Sequence, residues 1–224
     1  GKYDSAASHR AMARLREASD SMTYLEGLIQ DEGLECDYHR TGRLVTAWTE
    51  RDLEAMASRI DNLNVLTSAE ATLLSRDEMA QEVGSHFYLG GMLVRRAGHL
   101  QPAKFHAALF KRAVAAGVLC FDHRAVTAIV PLRAGFSVQM PSASIRAGSV
   151  VVATNAYTGR VDSYIDRRII PIASHMIATE PISTDEFDSI IQNDRSVSEH
   201  RRVLNYYRKS PDGQRLIFGG RTRF

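Results

Sequence analysis

The chain has 224 residues, 44% of them hydrophobic and 24% charged, which is the composition of a globular protein with a substantial core. A formal net charge of +2 excludes the strongly basic surface that indicates a nucleic-acid partner. No apolar run is long enough to cross a membrane, so we expect no membrane-spanning segment. Cys36 and Cys120 form neither a CxxC pair nor a disulfide framework, and we therefore expect a reducing, cytoplasmic setting.

The two ends of the sequence predict that more protein belongs beyond them. Gly1 is not an initiator Met, and Phe224 closely follows a strong strand pattern whose hairpin partner precedes it. We therefore expect this chain to be a segment of a longer enzyme.

The first hundred residues contain helix and strand patterns in turn. Apolar residues at three- and four-residue steps predict a helix over residues 5–31. Residues 42–50 are typical of a strand, and residues 51–63 of a second helix. The stretch "SRDE", which begins at Ser75, is a capping-box pattern and predicts a short helix that ends at Gly84.

The next sixty residues are easier to interpret. A helix pattern over residues 103–117 precedes three strand candidates separated by short turns. The last candidate ends in "SVVVAT", a continuous apolar run that predicts a central parallel strand covered on both faces. Ligands in such sheets lie at the carboxyl ends of the strands, where Ala153, Thr154 and Asn155 would lie. This order of elements is typical of the second half of a dinucleotide-binding domain.

The C-terminal part predicts further strands. The stretch "RRIIPIASHMIATEPI" is a strand pattern with Pro171 inside it, which is typical of an edge strand or a bent strand. The stretch "NYYRKSPDGQRLIFGGR" predicts a hairpin that turns through Pro211, Asp212 and Gly213.

Four stretches in register resemble one known family. "AGHLQPAKFHAALFKRAVAAGV", "VVVATNAYTG", "MIATEPI" and "YYRKSPDGQRLIFGGR" are similar to stretches of the FAD-dependent D-amino-acid oxidase family, which includes glycine oxidases, sarcosine oxidases and amine oxidoreductases. Within it, the "GGML" and "RLIFGG" stretches most resemble the gamma-glutamylputrescine oxidoreductases. The resemblance covers nearly the whole chain in the same order.

The resemblance implies an α/β fold of two interleaved domains. One is a Rossmann-like FAD-binding domain, and the other is a substrate domain on a large, mixed and mostly antiparallel sheet. Residues 1–40 and 99–160 are predicted to form part of the first, and residues 41–98 and 161–224 part of the second. The G-x-G-x-x-G loop that holds the FAD pyrophosphate in the family is absent from this sequence, as is the family's C-terminal part.

The implied activity is oxidation of the C–N bond of an amine or amino acid. FAD, held non-covalently, accepts a hydride from the carbon next to the nitrogen, and water hydrolyses the resulting imine. Neither Cys36 nor Cys120 matches the cysteine through which some members attach the flavin, and both are explained as buried small hydrophobic residues. The implied partner is therefore a small-molecule amine or amino acid. We expect no nucleic-acid partner, and the sequence does not indicate an oligomeric state.

Four residues are implied to contact FAD. Ala153, Thr154 and Asn155 match the small-residue turn that lets the family's backbone approach the cofactor. Val126, in "HRAVTAIV", matches the position whose backbone amide and carbonyl meet the adenine ring. Structural alternatives remain open, because a plain strand-to-loop junction would explain the turn and an inward-facing strand residue would explain Val126.

Three residues are implied to lie at the substrate. His99, in "GHLQP", matches the family's turn between the domains, although a turn histidine bonded to backbone is an equal alternative. In "NYYRK" the strand alternation places Tyr206 and Arg208 on one face and Tyr207 on the other. A hydroxyl beside a guanidinium suits a carboxylate-bearing amine, whereas a core Tyr and a surface Arg are the structural alternative. The sequence indicates no catalytic acid or base and no metal site.

Two other functions are compatible with the sequence. A flavin-free accessory subunit would keep the sheet and bind a small amine or a partner chain, and the absence of the glycine loop favours it. A hydroxylase of the same superfold is a weaker alternative, because the "IATEP" and "RLIFGG" stretches argue against it.

Overall fold

The computed structural model describes residues 5–201 and 204–221, and it has the mixed α/β fold that the sequence predicts. The helices are α1 (Ser5–Asp31), α2 (Glu50–Leu66), α3 (Arg76–Val83), α4 (Pro102–Ala115), α5 (Ser163–Asp166) and α6 (Thr184–Ile190). The strands are β1 (Arg43–Ala47), β2 (Ala71–Leu74), β3 (Gly90–Val94), β4 (Ala128–Pro131), β5 (Phe136–Met140), β6 (Ala143–Ala147), β7 (Ser174–Ala178), β8 (Ser196–Glu199), β9 (Asn205–Lys209) and β10 (Leu216–Arg221). The described residues up to Ala116 and from Ser174 onward form one compact unit, and Gly117–Ala173 form a second.

The larger unit contains a seven-stranded sheet with the order β2-β3-β1-β8-β9-β10-β7. Its strands β1 and β8 are parallel, and the other neighbouring pairs are antiparallel. One face carries a row of paired residues that crosses five strands: Leu93, Leu44, Val197, Tyr207 and Phe218. The neighbouring row points to the opposite face, because side chains alternate along a strand: Met92, Val45, Ser198, Tyr206 and Gly219.

The core of the larger unit lies between the first face and α3. Met79 and Val83 of α3 pack with Leu44, Leu93 and Val197 in one buried cluster. Burying a side chain of this size contributes about 1.5–3 kcal/mol, so the cluster holds α3 against the sheet. On the opposite face, α2 packs against β1, β2 and β3, and α1 packs against α2.

The helix that the sequence predicts after Ser75 is confirmed in its beginning and its end. The Ser75 hydroxyl accepts a hydrogen bond from the Glu78 amide at 3.3 Å, and the Glu78 carboxylate accepts one from the Ser75 amide at 2.8 Å. The bond from the Ser75 amide, and after it a second bond that the Ser75 hydroxyl donates to the same carboxylate at 2.8 Å, lower the pKa of the Glu78 carboxyl group. Gly84 ends the helix in the left-handed conformation at φ 58°. Capping boxes also begin α2 and α6.

The predicted C-terminal hairpin is confirmed. Strands β9 and β10 are antiparallel neighbours, and the Ser210 amide donates to the Arg215 carbonyl at 2.8 Å across the turn. Gly213 lies within the turn at φ 69°. Strand β7 follows Pro171 and pairs with β10 at the end of the strand order, so it is an edge strand among the described residues, as predicted.

The smaller unit differs from the prediction at one strand. Strands β4, β5 and β6 form an antiparallel meander, and two short 3-10 helices follow at Asn155–Tyr157 and Gly159–Val161. The predicted parallel strand at residues 149–154 is not formed, and Val151 is 89% exposed. A strand needs a hydrogen-bonded neighbour, and none of the described strands lies beside this run.

The two compact units divide the chain differently from the predicted FAD-binding and substrate-binding domains. Residues 99–116, predicted to belong with the cofactor, group with the large sheet. Compactness does not assign a ligand to either unit, so the interleaved division stays a prediction. Within the described residues, no helix combines the length and the apolar character needed to cross a membrane.

We expect Gly84→Ala to destabilise the protein. Gly84 has a positive φ, and an added Cβ would overlap the carbonyl group of Ser189 in α6. Together the backbone strain and the overlap should lower the free energy of unfolding by about 2–4 kcal/mol. Gly27→Ala is the matched control, because Gly27 lies within α1 with nothing near its Cβ position and should gain about 0.5–1 kcal/mol. Denaturant unfolding measures both, and equal effects would contradict the close approach of Gly84 to α6.

Candidate functional site

The turn before α4 is attached to the segment that precedes β1. His39 and His99 exchange two backbone hydrogen bonds, at 2.9 and 3.0 Å between nitrogen and oxygen. Their imidazole rings are stacked, with centroids 5.5 Å apart and planes 20° apart. Because the backbone and the rings both pair, the position of His99 is set by two independent contacts.

Asp194, just before β8, connects the two histidines. Its Oδ2 lies 3.0 Å from His39 Nδ1 and 3.3 Å from His99 Nε2. Its backbone carbonyl lies 3.0 Å from His99 Nε2 and also accepts a hydrogen bond from the Thr41 hydroxyl. The side chain of His99 is 9% exposed, so its own contacts are largely shielded from water, whereas the side chain of His39 is 47% exposed.

Arg208, on β9, reaches the same turn from the sheet. Its Nη1 lies 2.7 Å from His99 Nδ1, and its Nη2 donates to the Leu100 carbonyl at 2.9 Å. A guanidinium can only donate, so Nδ1 must be the acceptor. The His99 proton therefore lies on Nε2, where it faces the carbonyl and carboxylate oxygens of Asp194. This assigns His99 as the neutral Nε2–H tautomer.

The guanidinium of Arg208 has unused hydrogen-bonding capacity. An arginine has five N–H donors, so the bonds to His99 and Leu100 leave three. Partial burial lowers the pKa of Arg208, while the carboxylates of Asp194 and Asp37 act in the opposite direction. An arginine remains charged in proteins, so the group is a fixed, partly shielded cation.

Tyr206 lies on the same face of β9 as Arg208, as the alternation predicts. Its hydroxyl is 2.7 Å from Ser174 Oγ on β7. Gly219, its paired residue on β10, leaves the room for the ring, because a Cβ there would overlap the ring atoms of Tyr206. The hydroxyl therefore crosses β10 and is held at the edge strand.

The residues predicted to contact FAD lie in the smaller unit. Val126 precedes β4, and neither its amide nor its carbonyl is bonded to another described residue. Ala153 and Thr154 are exposed, and Asn155 follows with a positive φ of 50°. The Thr154 hydroxyl lies 2.7 Å from that of the buried Thr158, which holds the turn closed. Free backbone groups and a small-residue turn fit the approach of a flat cofactor.

Two of the residues that surround His99 and Arg208 were not predicted from the sequence. His39 and Asp194 belong to no motif, and no spacing pattern connects them with each other or with His99. Only the residue types, a histidine and a carboxylate, were available as a signal. In the part of the chain that the structure describes, no group of three potential metal ligands converges, and both ring nitrogens of His99 are engaged in other contacts.

We expect Arg208→Ala to destabilise the larger unit. Truncation leaves His99 Nδ1 and the Leu100 carbonyl without their donor, and unpaired acceptors in a shielded position cost about 1–3 kcal/mol. Arg95→Ala is the control, since Arg95 is exposed and its side chain is hydrogen-bonded to none of the described residues. Its effect should stay within about 0.5 kcal/mol. Chemical denaturation compares the two, and an unchanged stability in Arg208→Ala would contradict the proposed connection between β9 and the turn.

Comparison with known proteins matches the chain to one family. The chain matches the family of FAD dependent oxidoreductases (DAO) over residues 1–224. It is 29% identical over 205 residues to a probable oxidoreductase OrdL of Haemophilus influenzae, covering 89% of this chain and 47% of that protein. It is 29% identical over 188 residues to gamma-glutamylputrescine oxidoreductase of Escherichia coli, covering 84% and 43%. The chain thus spans about half the length of these relatives.

Solved structures agree in fold. L-proline dehydrogenase from P. horikoshii superposes with a TM-score of 0.73 at 18% identity, covering 96% of this chain and 55% of that one. Glycine oxidase from Geobacillus kaustophilus gives a TM-score of 0.68 at 16% identity, covering 90% and 54%. The resemblance seen in the sequence motifs is therefore confirmed, and the chain belongs to the DAO family of FAD-dependent oxidoreductases.

Proposed function

We propose that this chain is part of an FAD-dependent enzyme that oxidises the C–N bond of an amine or amino acid. Family membership supports a flavin-dependent oxidoreductase, and the solved neighbours include a glycine oxidase and an L-proline dehydrogenase. One observation on this chain supports the substrate class. The side chains of Tyr206 and Arg208 lie on the same face of β9, and the Arg208 guanidinium has N–H donors that are not engaged in hydrogen bonds.

In this proposal Arg208 and Tyr206 bind the substrate. The three remaining N–H groups of Arg208 offer a carboxylate a charge-assisted hydrogen bond, and the Tyr206 hydroxyl offers a neutral one. His99 acts as a positioning residue, because its Nδ1 accepts a hydrogen bond from the Arg208 guanidinium. The neutral His99 tautomer keeps a second positive charge away from the guanidinium.

The cofactor contacts belong to the same proposal. The amide and carbonyl of Val126 would meet the adenine ring, and the backbone of Ala153, Thr154 and Asn155 would approach the cofactor closely. Bound FAD supplies the acceptor for a hydride from the carbon next to nitrogen. This chain's residues supply orientation of that carbon and exclusion of water, which together account for a large part of many catalytic rate enhancements.

Ala153→Leu tests the cofactor contact. A bulky side chain at this turn should keep the backbone from the cofactor and weaken FAD affinity at least tenfold in the full-length protein, a loss equivalent to about 1.4 kcal/mol. Ala134→Leu adds the same volume at an exposed turn of the meander and should leave the affinity unchanged. Fluorescence titration of the apoprotein with FAD measures both. Equal affinities would remove residues 153–155 from the cofactor site.

Tyr206→Phe tests the substrate contact. The full-length holoenzyme is mixed without oxygen with a panel of amines and amino acids, and bleaching of the flavin absorbance identifies the substrate class. Loss of one neutral hydrogen bond should then raise the substrate concentration for half-maximal reduction about three- to tenfold. Tyr164→Phe, at an exposed residue of α5, is the control.

The outcomes of this experiment separate the alternatives. A flavin that is bleached only by a nicotinamide reductant would favour the hydroxylase hypothesis. A complete, folded chain that shows no flavin absorbance after FAD is added would favour the accessory subunit. An unchanged reduction curve in Tyr206→Phe would remove Tyr206 from the substrate site while leaving the oxidoreductase in place.

A further inference from the structure

An aromatic pocket lies on the face of the large sheet opposite to Tyr206 and Arg208. It has a volume of about 340 Å³, and its principal side chains are those of Trp48, Phe87, Tyr88, Tyr207 and Phe218, together with the carboxylate of Glu199. We refer to these six residues as the aromatic box. All of them belong to the larger compact unit.

The box has two aromatic walls. In the first, the ring of Trp48 lies edge to face with Phe87 at 4.4 Å and with Tyr88 at 5.9 Å between centroids. In the second, the rings of Tyr207 and Phe218 are stacked 6.2 Å apart. These walls are set by the fold, since Tyr207 and Phe218 are paired residues of β9 and β10. Aromatic faces carry negative potential, which attracts cations and not anions.

Glu199 places a shielded negative charge at this pocket. Its side chain is 6% exposed, and its Oε2 accepts a hydrogen bond from Asn205 Nδ2 at 2.9 Å. The Tyr88 hydroxyl donates to Oε1 at a longer 3.3 Å. The one ion pair recorded for it among the described residues is with Arg201, at 3.5 Å, whose own side chain is 42% exposed. The charge of Glu199 is therefore only partly compensated, because its cationic partner is itself open to solvent and screened by it.

The Trp48 ring of the aromatic box already contacts one cation of the protein itself. The guanidinium carbon of Arg201 lies 3.8 Å from the centroid of the Trp48 ring.

We propose that the aromatic box binds a small organic ammonium ion. The aromatic faces stabilise the positive charge, the carboxylate of Glu199 neutralises it, and the apolar walls cover its alkyl groups. An anion would be repelled by Glu199, and a neutral molecule would gain nothing from it. The inference is independent of the proposed oxidation, because the box lies on the opposite face of β9 from Tyr206.

The phenol groups of the box remain neutral, which suits this ligand. Burial raises the pKa of Tyr88, and the charge of Glu199 adds to the rise. Burial likewise raises the pKa of Tyr207, with further contributions from Tyr88 and Glu199. Both hydroxyl groups, 3.3 Å apart, therefore keep their protons and offer lone pairs to an ammonium N–H.

Tetramethylammonium is the probe that tests the proposal. Its nitrogen has no lone pair, so it cannot lose a hydride in the proposed reaction, and a response to it reports on binding alone. Isothermal titration of the oxidised, full-length holoenzyme with tetramethylammonium chloride should show saturable binding. Titration with tert-butanol, a neutral molecule of similar size, should show none, and sodium chloride corrects for ionic strength.

Variants locate the binding. Glu199→Gln removes the charge with little change of shape and should weaken tetramethylammonium binding roughly tenfold or more. Phe87→Leu, at a side chain that is 60% exposed and so compatible with folding, should weaken it about threefold. Glu54→Gln removes an exposed carboxylate of α2 outside the box and should change nothing.

The proposal is overturned if the holoenzyme shows no saturable binding, or if tert-butanol binds as well as tetramethylammonium. It is also overturned if Phe87→Leu and a folded Glu199→Gln, checked by circular dichroism, keep the affinity of the unaltered protein. None of these results bears on the oxidoreductase proposal, which is measured by flavin reduction with oxidisable amines.

Discussion

The parallel pairing of β1 with β8 is the contact on which the rest of the large sheet depends. It joins three strands from the first part of the chain to four from the last part, with Leu44 paired to Val197 and Thr46 to Glu199. Without this register, β9 would not lie where Arg208 can reach the turn before α4. A shift by one residue would turn each side chain of a strand to the other face. The buried row that contains Leu44 and Val197 makes such a shift unfavourable.

Strand β9 serves two faces with different chemistry. Tyr206 and Arg208 face the side where His99 and Ser174 lie, and both make polar contacts there. Tyr207 faces the aromatic box, where its hydroxyl lies near that of Tyr88. Two consecutive tyrosines therefore have unrelated surroundings. This follows from the alternation of side chains along a strand, which places neighbours in the sequence on opposite sides of the sheet.

Arg208 illustrates how the structure changes the interpretation of a sequence pattern. A Tyr beside an Arg on a strand suggests a bidentate site for a carboxylate. In the structure the guanidinium first connects the sheet to the His99 turn, and only its remaining donors are free. Its proposed role in binding therefore depends on a structural role that the pattern did not show. His99 has the same double character, because it is a turn histidine bonded to backbone and also the acceptor that orients Arg208.

The sequence by itself determined the local elements and the family. Periodicity identified α1, capping residues identified α3, the Pro-Asp-Gly turn identified the last hairpin, and four stretches in register identified the FAD-dependent oxidoreductases. These signals are carried by residues close together in the chain. The tertiary structure alone brought His39, Asp194 and Arg208 to His99, and Trp48 to Glu199, because these partners are distant in sequence and meet only through sheet pairing. It also decided that residues 149–154 form no strand here, since a strand exists only beside a neighbour.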